Sequence, residues 1–575
     1  MSRILVLGGY GGFGARIARR LAAAGHEVLV AGRSAAKAVR FCDSVPGTVA
    51  LELDRADIAG ALALHRPAVV VDASGPFQAM DYTVPRACVA AGVAYCDIAD
   101  GREFVCGIAE LDAEARQAGV AVIAGASSVP ALSGAVVRDL TAGLDRVRAV
   151  EMAISASNQA SVGRAVTAAI VGQVGRPVTV WRQCRWLRSH AWQEIGRQDF
   201  ALAGKQPITG RLVALADVPD LALLPARLAG RPAVRFRAGT ELALHNLALW
   251  LVSWPVRFGF LRRLAGSGTV LQWLRGLTAR FGSNRSAMIV RVFGDCAGSG
   301  VERRWTLIAE QGDGPEIPAL SVPLLVDRIL AGREPPGARD AGLSLSLGDY
   351  DSAFASIAVS HAIEEFPAPE PLYRRVMGAA AFDALPSEVR EMHRVWRDGG
   401  AIGEASVESS GNVLGRLIAW IMRFPPPGSH PLHVGFSEHD GIETWTRDFG
   451  GHRFASRLSQ SRGQLVETFG PLRFRFDLPA NGRGLRMVMR GWSAFGIRLP
   501  LTLAPSSEAR EWASQGHFHF DVPISLPLIG QIVHYRGRLG APSAIEPPAD
   551  QERNRSERRH AGCPDADEPQ QPAGQ

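Results

Sequence analysis

The sequence predicts an α/β fold in which a doubly wound parallel sheet comes first, an α+β domain second and a β-rich antiparallel domain third. Two observations predict this order. Apolar, strand-like runs alternate with helical patterns through the first 130 residues, and beyond His433 the apolar residues recur with a period of two. A chain of 575 residues exceeds the usual size of one compact domain, so several domains are expected.

Alternating strand and helix patterns predict the first domain, residues 1–130. The predicted strands are residues 3–7, 27–31, 48–53, 68–72, 93–98 and 120–124. The predicted helices are residues 12–24, 35–41, 56–65, 82–91 and 104–118. Strands separated by helices form a parallel sheet that is covered on both faces. Because such crossovers are right-handed, the doubly wound Rossmann fold is the main arrangement left.

The middle of the chain has a less regular pattern. Residues 131–319 mix helical and strand-like stretches, which indicates an α+β domain. A segment punctuated by prolines then leads into a helix predicted at residues 322–330. We expect residues 320–365 to return to the first domain and pack on it.

The last third of the chain predicts a separate domain. Prolines before residue 372 mark a boundary near residue 368. Residues 370–540 begin with helical stretches and continue as an antiparallel meander of about six to eight strands. Residues 541–575 are rich in Pro, Gln and charged residues, so they are predicted to be disordered.

The composition excludes several classes of protein. The hydrophobic fraction of 47% and the charged fraction of 21% are typical of a globular protein. The formal net charge is +7, but the basic residues are scattered, so no nucleic-acid partner is expected. The most apolar later stretch, residues 242–256, contains His245 and Asn246 and is too short to cross a bilayer. It predicts a buried or interfacial helix.

The cysteines and the start of the chain bear on its location. None of the seven cysteines pairs in a CxxC motif or accompanies a histidine cluster, so no metal site is predicted. The first apolar run is too short for a signal peptide. We expect a cytoplasmic protein with a small-molecule substrate and no transmembrane segment. Peripheral lipid contact and a homodimer stay open.

The turn after the first predicted strand is rich in glycine and opens the first predicted helix. Its candidate cofactor-binding residues are Gly8, Gly9, Gly11, Gly12, Phe13 and Gly14. Gly9, Gly11 and Gly14 fit the pattern GxGxxG, which permits a tight turn, a close approach of backbone to a pyrophosphate, and close packing of helix on sheet. The amino end of the helix would then face the phosphates. This context predicts a dinucleotide site.

The end of the second predicted strand distinguishes NAD from NADP. An NAD site usually has an acidic residue there, which binds the ribose 2′-hydroxyl. Here Arg33 and Ser34 follow the strand, and Glu27 stands at its other end. An arginine fork and a hydroxyl suit a 2′-phosphate, so NADP is the predicted cofactor.

Two further stretches border the predicted cleft. Ser74, Gly75, Pro76 and Phe77 follow the fourth strand, whose carboxyl end lies beside the cofactor in a doubly wound sheet. Asp54 follows the third strand. It either contacts the adenine side of the cofactor or caps the next helix.

These motifs resemble the saccharopine dehydrogenase-like family. The resemblance rests on residues 8–14, 75–77, 87–101 and 125–130. In the last segment Ala126 and Ser127 stand where the family has Phe and Asp, so the family's usual substrate is not carried over. The resemblance implies an NAD(P)-binding domain and then an α+β substrate domain, with a chain that returns to the first domain.

The region after residue 370 is similar to a family of unassigned function that is often fused behind such dehydrogenases. The matching landmarks are Trp445, Arg447, Phe449, residues 467–471, residues 527–530, Tyr535 and Gly537. This resemblance implies no catalytic residue.

Three side chains are candidates for handling a proton beside the cofactor. Hydride transfer is the chemistry of the cofactor, while an acid or base nearby manages the proton. Tyr82 follows the fourth strand, and Asp97 and Asp100 lie at the end of the fifth. Each also has a structural interpretation: packing for Tyr82, and capping or loop contacts for the two aspartates.

Two function classes follow from these features. The first is an NADP-dependent oxidoreductase acting on an imine, enoyl or carbonyl substrate. The second is a non-catalytic NADP-binding or lipid-associated scaffold, in which the C-terminal meander holds an apolar ligand or partner. Oxidation of NADPH by the purified protein with some compound distinguishes them.

Overall fold

The computed structural model describes residues 1–159, 164–261, 278 and 280–540. The predicted disordered tail, residues 541–575, lies outside the described residues. Among the described helices, none is long and apolar enough to cross a membrane.

The described chain contains more strand than helix. In chain order they are β1 (Arg3–Leu7), β2 (Glu27–Gly32), β3 (Thr48–Glu52), β4 (Val69–Asp72), β5 (Ala94–Asp97), β6 (Ala121–Ala124), β7 (Arg146–Ala156), β8 (Pro177–Arg182), β9 (Arg185–His190), β10 (Gly196–Phe200), β11 (Ile208–Leu215), β12 (Ala233–Thr240), β13 (Ser286–Cys296), β14 (Ser299–Ala309), β15 (Gly337–Asp340), β16 (Val359–Pro367), β17 (Asp398–Ser409), β18 (Gly428–His439), β19 (Ile442–Phe449), β20 (His452–Ser461), β21 (Gln464–Phe469), β22 (Leu472–Asp477), β23 (Ala480–Asn481), β24 (Gly484–Ala494), β25 (Ile497–Leu499), β26 (Ala509–Ser514), β27 (His517–Leu526) and β28 (Gly530–Gly540).

The described α-helices connect or cover these strands. In chain order they are α1 (Gly12–Ala23), α2 (Ala35–Cys42), α3 (Ile58–His65), α4 (Thr83–Ala90), α5 (Arg102–Gly107), α6 (Asp112–Gln117), α7 (Ser133–Thr141), α8 (Arg164–Gln173), α9 (Asp220–Arg227), α10 (Ala243–Arg257), α11 (Ser321–Leu330), α12 (Asp351–Ala355), α13 (Leu372–Met377), α14 (Ala379–Asp383), α15 (Ser387–Met392) and α16 (Val413–Ile421).

The first sheet is parallel and has the strand order β15-β6-β5-β4-β1-β2-β3. The chain builds outwards from β1 to β3, then crosses back to β4. This reversal places a crevice at the carboxyl ends of β1 and β4, where doubly wound sheets bind their ligands. This parallel strand order confirms the predicted Rossmann fold. The runs of apolar residues in β1, β2 and β4 predicted it because these strands are buried on both faces.

Two details of this domain differ from the sequence prediction. The helix predicted at residues 104–118 is two helices, α5 and α6, joined by a 3-10 turn at Ile108–Leu111. A seventh strand, β15, joins the edge at β6 and comes from residues 337–340. Its short sequence, Gly-Ala-Arg-Asp, carries too little apolar pattern to be recognised as a strand.

The segment that ends in β15 is tied to α1 by charge as well as by packing. Arg16 Nε lies 2.8 Å from Glu316 Oε1, and Arg20 Nη2 lies 2.9 Å from Glu316 Oε2. The three side chains are mostly buried, so solvent screens these pairs less than surface pairs. They hold the returning segment against the helix that opens at the glycine turn.

The second sheet is mixed and has the order β10-β11-β12-β7-β13-β14-β16, forming an open half-barrel. Only the β12–β7 pair is parallel among the described pairs of this sheet. One continuous apolar core joins this sheet to the first, running from Ile4 to Phe354 and including the fully buried Trp305. The first two domains therefore share their packing.

The apolar stretch predicted as a buried or interfacial helix forms α10. His245 and Asn246 are buried on one face, and Leu244, Leu247 and Leu251 are exposed on the other. Asn246 Nδ2 donates to the carbonyl oxygen of Thr240 at 2.8 Å, which satisfies the buried amide.

The third sheet is a closed antiparallel barrel. Ten strands follow in chain order, β17 to β22, then β24 and β26 to β28; β28 pairs with β17, and β22 pairs with β24 to complete the ring. The predicted antiparallel β-rich domain is confirmed, with more strands than the six to eight expected. Alternating apolar and polar residues identify individual strands. They do not show that β17 pairs with β28, about 130 residues later, to close the ring.

The barrel has its own core and a polar contact with the half-barrel. Its buried residues run from Leu372 to Leu539, separate from the shared core. The turn of the β8–β9 hairpin lies on its outer face, where Gln183 N donates to Asp398 Oδ1 at 2.6 Å and Arg185 Nη1 lies 2.8 Å from Asp448 Oδ2. Burial raises the pKa of Asp398 to about 7. A small apolar cluster also joins the two, in which Trp396 packs on Phe293 with ring centroids 5.4 Å apart. The contact thus combines polar groups with this small cluster and does not merge the two large cores.

This separation predicts that residues 370–540 fold alone. A domain of this size can bury a sufficient core, and the barrel completes its ring within these residues. The isolated fragment should show a β-dominated far-UV circular dichroism spectrum and a cooperative thermal transition. A soluble fragment with no cooperative transition, beside a full chain that melts cooperatively, would contradict an independent domain.

Candidate functional site

The candidate site is the crevice at the carboxyl ends of β1 and β4. The loops after these strands approach closely at Gly8, whose φ of +68° lies in the left-handed region. A Cβ atom on Gly8 would lie 2.8 Å from the carbonyl oxygen of Ala73. Both the backbone conformation and the close approach therefore require glycine here.

The glycine turn leaves the amino end of α1 free for an anion. Gly11 is the residue that precedes the helix, and the first turn of α1 contains no acidic side chain. A Cβ on Gly11 would lie 3.0 Å from the carbonyl oxygen of Gly8, while one on Gly14 would collide with that oxygen. Gly14 thus permits the packing of helix on loop, and Gly11 keeps space beside unpaired backbone N–H groups.

The other predicted residues of the turn support its shape. A Cβ on Gly9 would lie 2.9 Å from the carbonyl oxygen of Val6, so this position packs on the strand. Gly12 accepts a hydrogen bond from Arg16 Nη1 through its carbonyl oxygen at 2.6 Å. Phe13 is half-buried against the shared core.

The end of β2 presents a free cation to the same crevice. Arg33 is exposed and has no ion-pair partner among the described residues. Ser34 precedes α2, but its hydroxyl makes no capping hydrogen bond. Its backbone N–H donates to the hydroxyl of Tyr10 at 3.0 Å.

Tyr10 is a site residue that sequence reasoning missed. Its ring lies against Gly32, where a Cβ would be 2.5 Å from the tyrosine hydroxyl oxygen. The tyrosine in the middle of the glycine turn thereby fixes the direction in which the chain leaves β2. Its position inside the motif was the available signal.

Asp54 has the geometry of a helix cap. Its side chain accepts from the backbone N–H of Ala56 at 3.1 Å and is exposed. This is the second of the two interpretations that the sequence left open. Contact with an adenine ring stays a prediction.

The loop after β4 is held by a buried carboxylate that sequence reasoning also missed. Asp72 Oδ1 accepts from the hydroxyl and the backbone N–H of Ser74, at 2.5 and 2.9 Å. Arg55 Nη2 lies 3.3 Å from Asp72 Oδ2. Burial raises the pKa of Asp72, and these partners offset part of that effect. Asp72 is the last residue of β4, and its sequence pattern indicated only a strand end.

The loops after β4 and β5 are joined to each other. Phe77 is buried, and its ring centroid lies 5.4 Å from that of Phe104. A Cβ on Gly101 would lie 3.1 Å from the backbone of Phe77. Gln78 Nε2 donates to Asp100 Oδ1 at 2.9 Å. Pro76 is exposed beside Gly75 at the lip of the crevice.

The three candidate proton-handling groups have different surroundings. The Tyr82 hydroxyl donates to the carbonyl oxygen of Phe104 at 2.8 Å. Asp97 is fully buried, and its Oδ1 accepts from the backbone N–H groups of Ala99 and Gly125 at 2.9 and 2.8 Å. Burial raises the pKa of Asp97 to about 7. Asp100 lies at the edge of the crevice, and desolvation raises its pKa as well.

One of these candidates is joined to the loop after β4 by a side-chain hydrogen bond. Asp100 is held by Gln78, from the loop that follows β4. Tyr82 and Asp97 each bind backbone groups of neighbouring loops, which orients those loops. The structure therefore groups Asp100 with residues 74–78.

Two family models match separate parts of the chain. Residues 4–123 match the family model "Saccharopine dehydrogenase NADP binding domain". Residues 385–539 match the model "Domain of unknown function (DUF4166)". No curated protein matches the chain.

Several solved structures are similar to parts of the chain. Apo saccharopine dehydrogenase (L-Glu forming) from Saccharomyces cerevisiae is 12% identical, with 63% of this chain and 100% of that chain covered and a TM-score of 0.44. Amine dehydrogenase from Mycobacterium smegmatis is 14% identical, with 59% and 95% covered and a TM-score of 0.33. GenD2 from gentamicin A biosynthesis, in complex with NAD, is 14% identical, with 64% and 97% covered and a TM-score of 0.32.

The glycine turn predicts the effect of Gly11→Val. Only the Gly8 carbonyl oxygen lies close to the new side chain, so the fold should survive while the space for a pyrophosphate is filled. Binding of NADPH, measured by fluorescence titration, should be lost. Gly60→Val, at an exposed position of α3 with open space around it, is the matched control and should bind normally. Normal binding by Gly11→Val would contradict this location of the pyrophosphate.

The surroundings of Asp97 predict a pH-dependent stability. Its pKa is about 7 in the folded chain, above the ordinary value of 3.8, so the folded state loses stability as pH rises between those values. Asp97→Asn keeps an oxygen that accepts both N–H groups and cannot ionise. The free energy of unfolding of the wild type should fall relative to the variant from pH 4 to pH 8, by on the order of 3 kcal/mol.

Denaturant unfolding at a series of pH values checks this difference. The other buried carboxyl groups contribute the same pH dependence to the wild type and to the variant, so their contribution cancels in the comparison. Parallel curves for the wild type and Asp97→Asn would contradict a raised pKa at this position.

Proposed function

We propose that this chain, whose residues 4–123 belong to the saccharopine dehydrogenase NADP-binding domain family, transfers hydride between NADP and a carbonyl, imine or enoyl substrate. The domain match identifies an NAD(P)-dependent oxidoreductase. The choice of NADP and the type of substrate are the further steps of the proposal.

The observation that carries the choice of NADP is the free guanidinium of Arg33. It stands at the carboxyl end of β2, exposed and without an acidic partner among the described residues. Glu27, the acidic residue of this strand, is at the opposite end and pairs with Arg3 at 2.8 Å. The planar guanidinium of Arg33 can make charge-assisted hydrogen bonds with a 2′-phosphate. The hydroxyl of the adjacent Ser34, which makes no capping hydrogen bond, can add another.

The residues of the crevice would bind and orient the cofactor along its length. The unpaired N–H groups at the start of α1 face the pyrophosphate, and Gly11 gives it space. The loop held by Asp72 and Ser74 borders the reactive end. When bound, the nicotinamide supplies or accepts the hydride. The protein's contribution is position and the exclusion of water.

Asp100 is the candidate that we place in the proton-handling role. Desolvation raises the pKa of its carboxyl group, which favours the protonated form nearer to neutral pH. Gln78 fixes its orientation from the adjacent loop. Tyr82 would have to break its hydrogen bond with Phe104 before it could serve, and Asp97 is fully buried, with no exposed surface through which to reach a substrate.

Arg33→Ala tests the choice of cofactor. The wild type should bind NADPH more tightly than NADH, and the variant should lose most of that preference. Each charge-assisted hydrogen bond removed contributes about 1.5–3 kcal/mol, so the Kd for NADPH should rise at least about tenfold, with little change for NADH. Arg40→Ala removes an equally exposed charge from α2 and serves as the matched control. Equal affinity of the wild type for both dinucleotides would overturn the choice of NADP.

A screen of carbonyl, imine and enoyl compounds tests the reaction itself. Loss of NADPH absorbance identifies a substrate, and Asp100→Asn should then lower kcat while leaving the Kd for NADPH unchanged. Tyr82→Phe serves as the control, because it keeps the ring and removes the hydroxyl that donates to the carbonyl oxygen of Phe104. Tight binding of NADPH with no oxidation by any class of compound favours a non-catalytic scaffold instead.

A further inference from the structure

We propose that the C-terminal barrel takes up the hydrocarbon chain of a lipid from an anionic membrane surface, on which one end of the barrel docks. This inference goes beyond the proposed oxidoreductase and needs no cofactor. It rests on the interior of the barrel, on the difference between its two ends, and on the charge of one of them.

The barrel encloses an apolar cavity of about 350 Å³. This volume lies within the range of sites for small organic molecules. Ten strands give a wider ring than the eight whose side chains just fill the interior. Aromatic and aliphatic side chains line most of the cavity, among them Phe424, Phe454, Phe474, Met489 and Ile524.

The charged side chains in the lining already have partners. Arg447 Nη1 donates to Ser456 Oγ at 3.0 Å, and its Nη2 lies 3.9 Å from Glu467 Oε1. Glu511 Oε2 lies 2.6 Å from His393 Nε2. Because these groups satisfy one another, the surface left for a ligand is apolar. This favours a hydrocarbon chain over a polar metabolite.

One end of the barrel, the closed end, is covered by helices. α13 packs on β20 and β21, and α15 packs on β26 and β27. Tyr373 stacks on the buried His393 with ring centroids 3.6 Å apart, and Trp445 lies 5.4 Å from the same histidine. These aromatic contacts close the interior on this side.

The opposite end, the open end, carries the exposed apolar side chains. The strand register places the chain between β17 and β18 there, together with the turns after β19, β21, β24 and β27. Within the described residues 398–540, every exposed large apolar side chain except Ile442 lies at this end. Examples are Leu417, Trp420, Phe495, Leu503 and Leu528, with 76% of Trp420 and 82% of Phe495 exposed.

α16 connects the exposed surface with the cavity. Ile418 and Met422 face inward and line the cavity. Leu417, Trp420 and Ile421 on the same stretch face outward. Nearly every residue of this helix is apolar, so it can rest on hydrocarbon at both faces. It is therefore the element most suited to separate a lipid chain from a membrane.

The charge of the open end favours an anionic surface as the partner. Residues 410–427, 470–473, 495–507 and 527–529 contain no Asp or Glu. They contain four arginines that pair with no carboxylate among the described residues: Arg416, Arg423, Arg473 and Arg498. The flanking carboxylates are already ion-paired: Glu408, Asp448 and Glu508. Aromatic and aliphatic groups among unpaired cations are typical of surfaces that rest on anionic lipid.

Vesicle flotation with the full chain tests the docking. The wild type should float with vesicles of phosphatidylcholine and phosphatidylglycerol, and much less with phosphatidylcholine alone. The double variant Leu417→Asp with Trp420→Asp should bind at least about tenfold more weakly, since two charges enter the apolar contact. Ile442→Asp, an exposed apolar position at the closed end, is the matched control and should bind like the wild type.

Uptake of the chain is measured with a pyrene-labelled alkyl lipid in the same vesicles. Transfer into the barrel separates the labels, so excimer emission should give way to monomer emission, up to one label per protein. Val522→Trp, which fills space in the lining, should reduce uptake while docking persists.

Three results would overturn the proposal. They are flotation that is unchanged in the double variant, docking of the wild type without uptake of the label, and loss in the double variant of self-association rather than vesicle binding. The last would identify a second copy of the chain as the occupant. NADPH binding in all these variants should equal that of the wild type, which keeps this test separate from that of the oxidoreductase.

Discussion

The approach of two loops at Gly8 is the constraint on which the nucleotide crevice depends. The turn after β1 can pass under the loop after β4 because the left-handed glycine has no side chain to meet Ala73. The same carbonyl oxygen of Gly8 sets the distance at which α1 begins, through Gly11 and Gly14. The end of the central strand β1, the start of α1 and the loop after β4 thus converge on one backbone segment. The pyrophosphate site that we propose follows from that convergence rather than from any charged side chain.

The sequence patterns indicate three domains, whereas the two large apolar cores divide the chain into two parts. The first sheet and the half-barrel share a core, so a substrate bound between them would sit against one continuous body. The barrel is joined to them by hydrogen bonds and ion pairs, with Asp398 and Asp448 among them, and by a small apolar cluster around Trp396. Such polar contacts give orientation with less apolar burial than a shared core provides. The two parts have correspondingly different chemistry, a polar cleft in one and an apolar cavity in the other.

The sequence predicted those features that depend only on neighbouring residues. The buried strands β1, β2 and β4 and the glycine turn could be located from apolar runs and spacing, because both faces of a parallel sheet exclude water. Tyr10 and Asp72 could not be assigned, because the role of Tyr10 arises from its contact with Ser34 after β2, and that of Asp72 from its burial beside Ser74 and Arg55. β15 has a polar sequence whose strand form depends on its neighbour β6. Trp420 has the sequence context of a buried helix, and only the register of the barrel shows that it is exposed.

The position of β15 has a consequence for synthesis of the chain. The first sheet has an open edge at β6 until residues 337–340 arrive, although its first six strands are complete by residue 124. An unpaired strand edge invites association with other chains. A ribosome adding residues in order must therefore make every strand of the half-barrel except β16 before β15 can cover this edge. Nascent chains that pause between these points would be the ones that chaperones need to shield.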